Sequence, residues 1–385
     1  MVLICPRLHL FEINDQPWFP QYFRLKVQSC LTLCWTFRVP IIQPSSPAQL
    51  VATTLSRTLS NNVTSYTYVD FCAGAGGPTP YIEVYMNAHL KSNSSSVSNP
   101  SASSIATHEA SYAEVAAAPK STNGLTPRSP RPVNGDHGDA GNGKVQFVLT
   151  DLHPHIPDWT AASKRSSNLN FIAKPVDAAN APRDLLKNVH GNSDINGIHG
   201  ERKVFRLYNL AFHHFDNELG SEILKNTVET ADGFGIFELQ ERTLSSLITI
   251  FAMGIMIMAI TPFYFWRSPG HLFFTYVIPI IPFVLVFDGI ISSLRTRSAG
   301  EVEALMKKSG GDMEGWRVLS GRERHTWPTG YMTWVMGVKG CCEIYGYPQA
   351  SWIPCFIHIS SDLEEHFKNR RGLVSDLANV RVQHV

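Results

Sequence analysis

Apolar positions along this chain fall into short runs separated by longer mixed stretches, with two long apolar blocks in the second half. Within residues 19–39, Phe23, Val27, Leu31, Cys34 and Trp35 recur at helical spacing between Pro20 and Pro40, which predicts a packed helix. Arg24, Lys26 and Arg38 flank an aromatic face there, so a membrane-surface helix is the alternative. Runs rich in β-branched and aromatic residues predict strands at 66–69, 145–150, 169–173, 204–210 and 234–239. Helical stretches fall between them at 81–90, 157–165 and 182–189, and Asp216 is placed to cap another that runs to about 230. Strands alternating with helices predict a parallel sheet covered on both faces. A helix at 301–308 and a strand pair at 316–320 and 330–338 would close that sheet.

Three stretches depart from this rhythm. Residues 92–143 are dominated by Ser, Asn, Ala, Pro and Gly and hold too few large apolar residues to offset their ordering entropy, which predicts a disordered surface insertion. Residues 244–266 carry no charge over a length that can cross about 30 Å of hydrocarbon. After the turn RSPGH, residues 272–287 are again uncharged before Asp288 interrupts them, so the two blocks read as a transmembrane hairpin. A buried helical pair is one alternative; a hairpin dipping into one leaflet, kinked at Pro262, Pro279 and Pro282, is another. Beyond Cys341 periodicity is lost except for a polar helix near 362–371. The expected organisation is a helical segment (1–65), a cofactor domain (66–240, insertion 92–143), a hairpin (244–294), a closing helix and strand pair (300–338) and a tail (341–385).

Composition narrows the function classes. The 33 Lys and Arg balance 32 Asp and Glu, leaving no basic footprint for nucleic acid. Seven cysteines without CxxC pairs argue for reduced thiols and against a zinc ribbon or a disulfide framework. The first ten residues are too short for a secretory signal and lack a cleavage site, so the mature chain is expected to begin there. Arg242, Arg295, Arg297, Lys307 and Lys308 flank the base of the hairpin against Arg267 and His271 in its turn, which puts the sheet domain in the cytosol, at an intracellular membrane. The sequons at Asn62 and Asn93 are then expected to stay unmodified.

The candidate chemistry centres on residues 66–80, YTYVDFCAGAGGPTP, a strand entering a glycine-rich turn before a helix. Such a turn presents free backbone N–H groups at a helix start and suits a nucleotide-like ligand. With a second strand ending at Asp151, a third followed by Asp177, and a fourth running into YNLAFHHFD, the chain resembles the class I S-adenosylmethionine-dependent methyltransferases. More narrowly, it resembles an uncharacterised group that carries a transmembrane hairpin after the fifth strand. The resemblance implies an α/β, Rossmann-like sheet with helices on both faces and S-adenosyl-L-methionine as cofactor. Asp70 matches the family's acid before GxGxG, Gly74 and Gly76 its second and third glycines, and Cys72 stands in place of the first. Asp151 would bind the ribose hydroxyls, Asp177 the adenine amino group, and Asn209 would lie where the fourth strand ends over the methyl group.

His213 or His214 would then take a proton from an acceptor hydroxyl or amine, with shaping of the pocket as their other reading. No Cys or acid at metal-ligand spacing joins the histidines, so no metal is expected. The implied function is transfer of a methyl group to a lipid or small-molecule acceptor at the bilayer. A non-catalytic membrane scaffold with the same fold is one alternative. An NAD(P)-binding oxidoreductase is the other, disfavoured because Thr79 occupies the sixth position of its GxGxxG fingerprint.

Overall fold

The computed structural model describes residues 3–39, 41–97, 144–188 and 202–340, with two short strands at Phe356–Ile359 and Val382–Gln383. The expected insertion from residue 98 onward, the loop at 191–200 and the polar helix near 362–371 lie outside these residues. Two helices, α1 (Gln21–Thr36) and α2 (Pro47–Leu59), precede β1 (Tyr66–Phe71). Then follow α3 (Thr79–Val97), β2 (Gln146–Thr150), α4 (Ile156–Ser163), β3 (Leu169–Phe171) and β4 (Lys203–Asn209). A short 3-10 turn, Leu185–Asn188, stands where a helix over 182–189 was expected. The order continues with α5 (Asn217–Thr230), β5 (Gly233–Glu238), α6 (Leu244–Tyr264), α7 (Pro269–Tyr276) and α8 (Ile280–Arg295). It closes with α9 (Ala299–Lys308), β6 (Trp316–Thr326) and β7 (Gly330–Lys339).

The sheet runs β3-β2-β1-β4-β5-β7-β6, and the short strands at 356–359 and 382–383 extend its β6 edge. β1 to β5 are parallel and β7 is antiparallel to both its neighbours. Every residue of β1 and β5 is buried, as a strand covered on both faces requires. One core, around Val51, Leu55, Ile82, Met86 and Trp159, packs α2, α3 and α4 on one face. The other, around Ile223, Leu224, Val228, Val302 and Leu305, packs α5 and α9 on the opposite face. This is an α/β, Rossmann-like sheet whose order reverses between β1 and β4, the switch point outside which ligands bind in such sheets.

Several expectations need correction. α2 was not anticipated: its Ser46 cap and Pro47 start are preceded by a proline-rich stretch that hides the periodicity of Val51, Leu55 and Leu59. α3 extends six residues into the segment expected to be disordered. β6 runs to Thr326, six residues beyond the expected end, because its charged residues Arg322, Glu323 and Arg324 still pair with β7.

The apolar blocks form helices after β5, but as a bent assembly rather than two straight arms. Among the described residues, α6 is the one helix long and apolar enough to cross a membrane; α7 and α8 meet that test only together, with a 69° bend at Val277–Pro279. The tip does not stand free, because α1 packs across it. Phe23 meets Phe274 edge to face at 4.8 Å, and a Cβ at Gly270 would come within 2.0 Å of the Tyr22 hydroxyl. Val27, Cys30 and Leu33 share a core with Ile257, Ile281 and Leu285. At the base, the Asp288 carboxylate accepts from the backbone N–H groups of Ile13 (2.7 Å) and Asn14 (2.9 Å), tying α8 to the N-terminal segment.

Candidate functional site

β1 ends at Phe71, and the chain reverses through Cys72 (φ +68°), Gly74 (φ +51°), Gly76 (φ +108°) and Gly77 (φ +49°). Cys72 thus keeps the left-handed backbone that favours glycine, at the position where a glycine was expected. The turn is stitched to the end of β2. Gly74 N–H donates to Asp151 Oδ2 (2.9 Å), His153 N–H donates to Asp151 Oδ1 (2.8 Å), and the Trp159 indole donates to the Gly74 carbonyl (2.8 Å). Each Asp151 oxygen retains a second lone pair for a ligand. Space above the turn is open, since a Cβ at Gly74 would meet nothing within 4 Å.

Asp70 is 1% exposed and accepts from the Thr79 hydroxyl, which in turn accepts from Asn209 Nδ2 at 3.1 Å. This short chain ties the ends of β1 and β4 to the start of α3. Burial pushes the Asp70 carboxyl up to about 7 against the opposing hydrogen bonds of Thr79 and Asn209, and Asp151 adds to the rise. Asp70 Oδ1 and Asn209 Oδ1 are buried without a hydrogen-bond partner among the described residues. Asp177 is exposed beyond β3, its carboxylate accepting from Ala179 N–H (2.9 Å), and the preceding Val176 N–H donates to the Asp151 carbonyl (2.9 Å). Burial raises the Cys72 thiol, and Asp151, Asp70 and Asp177 raise it further, so all three acids act on one point. The structure therefore gathers Asp70, Cys72, Gly74, Gly76, Asp151, Asp177 and Asn209 along the carboxyl edge of β1 to β4.

His213 and His214 form a short 3-10 turn after β4, entered through Leu210 at φ +52°, a strained value for a leucine. His213 is buried: Nδ1 lies 2.8 Å from Glu238 Oε2, its backbone N–H donates to Glu238 Oε1 (3.1 Å), and Nε2 faces Glu12 Oε1 at 3.6 Å. His214 Nδ1 lies 2.9 Å from Asp15 Oδ2, and the two imidazoles stack loosely at 4.2 Å. Burial opposes charging of His214, but the Asp15 hydrogen bond and the fields of Glu12 and Asp15 outweigh it and raise its pKa, with Arg295 working against them. Arg295 reaches Glu12 at 3.2 Å and Asp15 at 3.7 Å and donates to the His213 and His214 carbonyls.

No acid stands at metal-ligand spacing from the histidines along the chain, but Glu12 and Asp15 reach them in space from a segment some 200 residues earlier. Glu12, His213 and His214 hold possible ligand atoms within 4.8 Å of one another, close enough for a metal ion. Sequence spacing carried no signal for this.

Beside the histidines lies a cavity of about 750 Å³, between α1, α6, α8 and the carboxyl ends of β4 and β5. Leu210, His213 and His214 line one end, and Leu31, Met253, Met256 and Ile260 line its body. Thr79, Glu12, Asp15, Glu238 and Arg295 are site residues that sequence reasoning missed. Thr79 could have been found from its place after the glycine turn; the others have no local signature.

The arginines counted at the base of the hairpin have structural partners. Arg242 pairs with Glu301, Arg295 with Glu12, and Arg297 donates to the carbonyls of Phe212, Phe215 and Asp216. The charge bias at the base therefore has a second physical cause besides membrane orientation.

No family model matches the chain, and no curated protein does. Among solved structures, it is similar to the plantazolicin methyltransferase BpumL in complex with a monoazolic desmethylPZN analog and SAH. Identity is 12%, with 85% of this chain and 93% of that chain covered and a TM-score of 0.42. It is also similar to the plantazolicin methyltransferase BamL with a triazolic analog and SAH, at 11% identity, coverage of 83% and 98%, and a TM-score of 0.36.

Proposed function

We propose that this chain is an S-adenosylmethionine-dependent methyltransferase that acts on a lipid or small-molecule acceptor at an intracellular membrane. The observation that carries the reading is the convergence of Asp70, Asp151 and Asp177 with an open glycine turn at the switch point of the sheet. The residues fit the cofactor: the space above Gly74 accepts a ligand, and the unpartnered oxygens of Asp70 and Asn209 offer acceptors for ligand N–H and O–H groups. Asp151 would hold the ribose hydroxyls, Asp177 the adenine amino group, and Asp70 and Asn209 the amino-acid end. When bound, the cofactor supplies an electrophilic methyl group. Cys72 does not obstruct it, because its backbone already has the left-handed conformation of the glycine it replaces.

His213 is the proposed base. With Nδ1 held against Glu238 and the ring fixed by burial, Nε2 is the atom that would take a proton from the acceptor. His214 and Asp15 shape the rim. Thr79, which spoils the dinucleotide fingerprint, is engaged with Asp70, so nothing here favours the oxidoreductase alternative.

Membrane attachment rests on α6, whose 21 residues span about 30 Å and expose Ile248, Phe251, Ile255 and Phe263. We place the sheet domain in the cytosol. Calorimetry of the purified chain with S-adenosylhomocysteine and with NADH tests the cofactor. Saturable binding of the first alone is expected, and binding of NADH alone would overturn the reading.

A further inference from the structure

The cavity beside the histidines has a ligand chemistry of its own, and we propose that it binds a single-chain amphiphile with a primary ammonium head. This rests on the cavity, not on methyl transfer, so it stands or falls separately from the cofactor reading. The volume of about 750 Å³ lies within the range of small-molecule sites, roughly 300–1,000 Å³. Its body is apolar, built by Leu31, Met253, Met256 and Ile260, and the methionines adapt to a flexible chain. The end beside the histidines is acidic, with Glu12, Asp15 and Asp288 all lining the cavity.

The positive charges nearby are turned elsewhere. Arg7 and Arg297 donate to backbone carbonyls of residues 212–216, and Arg38, the cation that lines the cavity, is exposed near the opposite end of α1. Arg295 is the guanidinium that reaches both Glu12 and Asp15, and His214 pairs with Asp15. Asp288 is satisfied by two backbone N–H groups, but its charge remains.

Most telling is the pair His213 Nε2 and Glu12 Oε1. They face each other 3.6 Å apart, with His213 Nδ1 engaged by Glu238. An ammonium at this end brings three N–H donors to the carboxylate oxygens of Glu12 and Asp15, together with a charge opposite to theirs. A carboxylate head would meet three like charges. A hydroxyl brings one donor and no charge.

Photo-crosslinking of the full-length chain in lipid nanodiscs tests the proposal, with diazirine analogues of dodecylamine, dodecanol and dodecanoate. Cross-links from the amine should map to peptides within residues 27–37 and 252–260, with labelling at least tenfold above the acid and above the alcohol. Glu12→Gln and, separately, Asp15→Asn should reduce amine labelling several-fold and leave the alcohol unchanged. Met253→Trp, which fills the body of the cavity, should reduce both. Equal labelling by the acid would overturn the head assignment, and absence of cavity cross-links from every probe would overturn the site. Stoichiometric zinc or manganese in the purified chain, removed by EDTA without loss of fold, would also overturn it, assigning Glu12, His213 and His214 to a metal.

Discussion

The two halves of the carboxyl edge are built on opposite plans. On the β1–β2 side, the turn and its acids lie within a few residues of strand ends, and most of their hydrogen bonds join neighbouring strands or the turn itself. On the β4–β5 side, the histidines depend on groups from the N-terminal segment and from α8, at sequence separations of roughly 80 to 200 residues. A site of the first kind survives changes elsewhere in the chain, because strand pairing holds it. One of the second kind exists only when the helical half has docked, and its buried charges are costly to leave unpaired.

The largest expected effect tests that dependence. Arg295→Met strands Glu12, which is 5% exposed, without its guanidinium partner and should destabilise the protein by about 3–5 kcal/mol in denaturant unfolding. Arg57→Met, which breaks an exposed pair with Glu323, should cost less than about 1 kcal/mol. Equal effects would erase the contrast between a buried and a surface ion network.

Next comes a pH effect confined to the β1 side. The folded-state pKa of Asp70, about 7, lies above its reference value of 3.8, so the folded chain holds the extra proton. The stability of the neutral carboxyl is complete below about pH 4 and is lost as pH rises through about 7. Asp70→Asn should remove this slope and be more stable than the parent at about pH 8 by on the order of 2–4 kcal/mol. Parallel stability profiles for the two proteins would show that Asp70 is not held neutral by burial.

Ligand affinity separates the halves further. Asp151→Ala should weaken S-adenosylhomocysteine binding by about 2–3 kcal/mol, read by calorimetry, while His213→Gln leaves that affinity within about 0.5 kcal/mol. A loss in both would merge the two halves into one binding site. The smallest effect is at the turn: Cys72→Gly relieves a left-handed side chain worth about 1–2 kcal/mol but adds unfolded-state freedom, so stability should change by less than about 1 kcal/mol, with affinity kept or improved.

Attachment to the membrane has its own check. A reporter sequon on a long spacer in the turn at 267–271 should be glycosylated if α6 crosses, and native Asn62 should not be. The packing of Tyr22 and Phe23 against this tip means that α1 must accompany the helices wherever they go. No modification of the reporter would favour helices lying within one leaflet.

Much of this architecture was legible in the chain itself. Burial on both faces writes β1 and β5 as mainly apolar and aromatic runs, and the glycines of the turn and the Asp216 cap are local necessities of backbone geometry. The three acids were readable because Asp70 lies in the last turn-facing residues of β1 while Asp151 and Asp177 follow β2 and β3, and a strand's end is fixed by its own pattern. Length and the absence of charge marked α6 in the same way. Pro279 marked the place of the 69° bend before α8, but the seating of α1 on the hairpin tip and the arrival of Glu12 and Asp15 at the histidines were decided only by tertiary structure. Each is a contact between segments that leave no mark on one another's local periodicity. Pairing of buried charges is a property of space, and nothing in the spacing of residues 12, 213, 238 and 295 records that they meet.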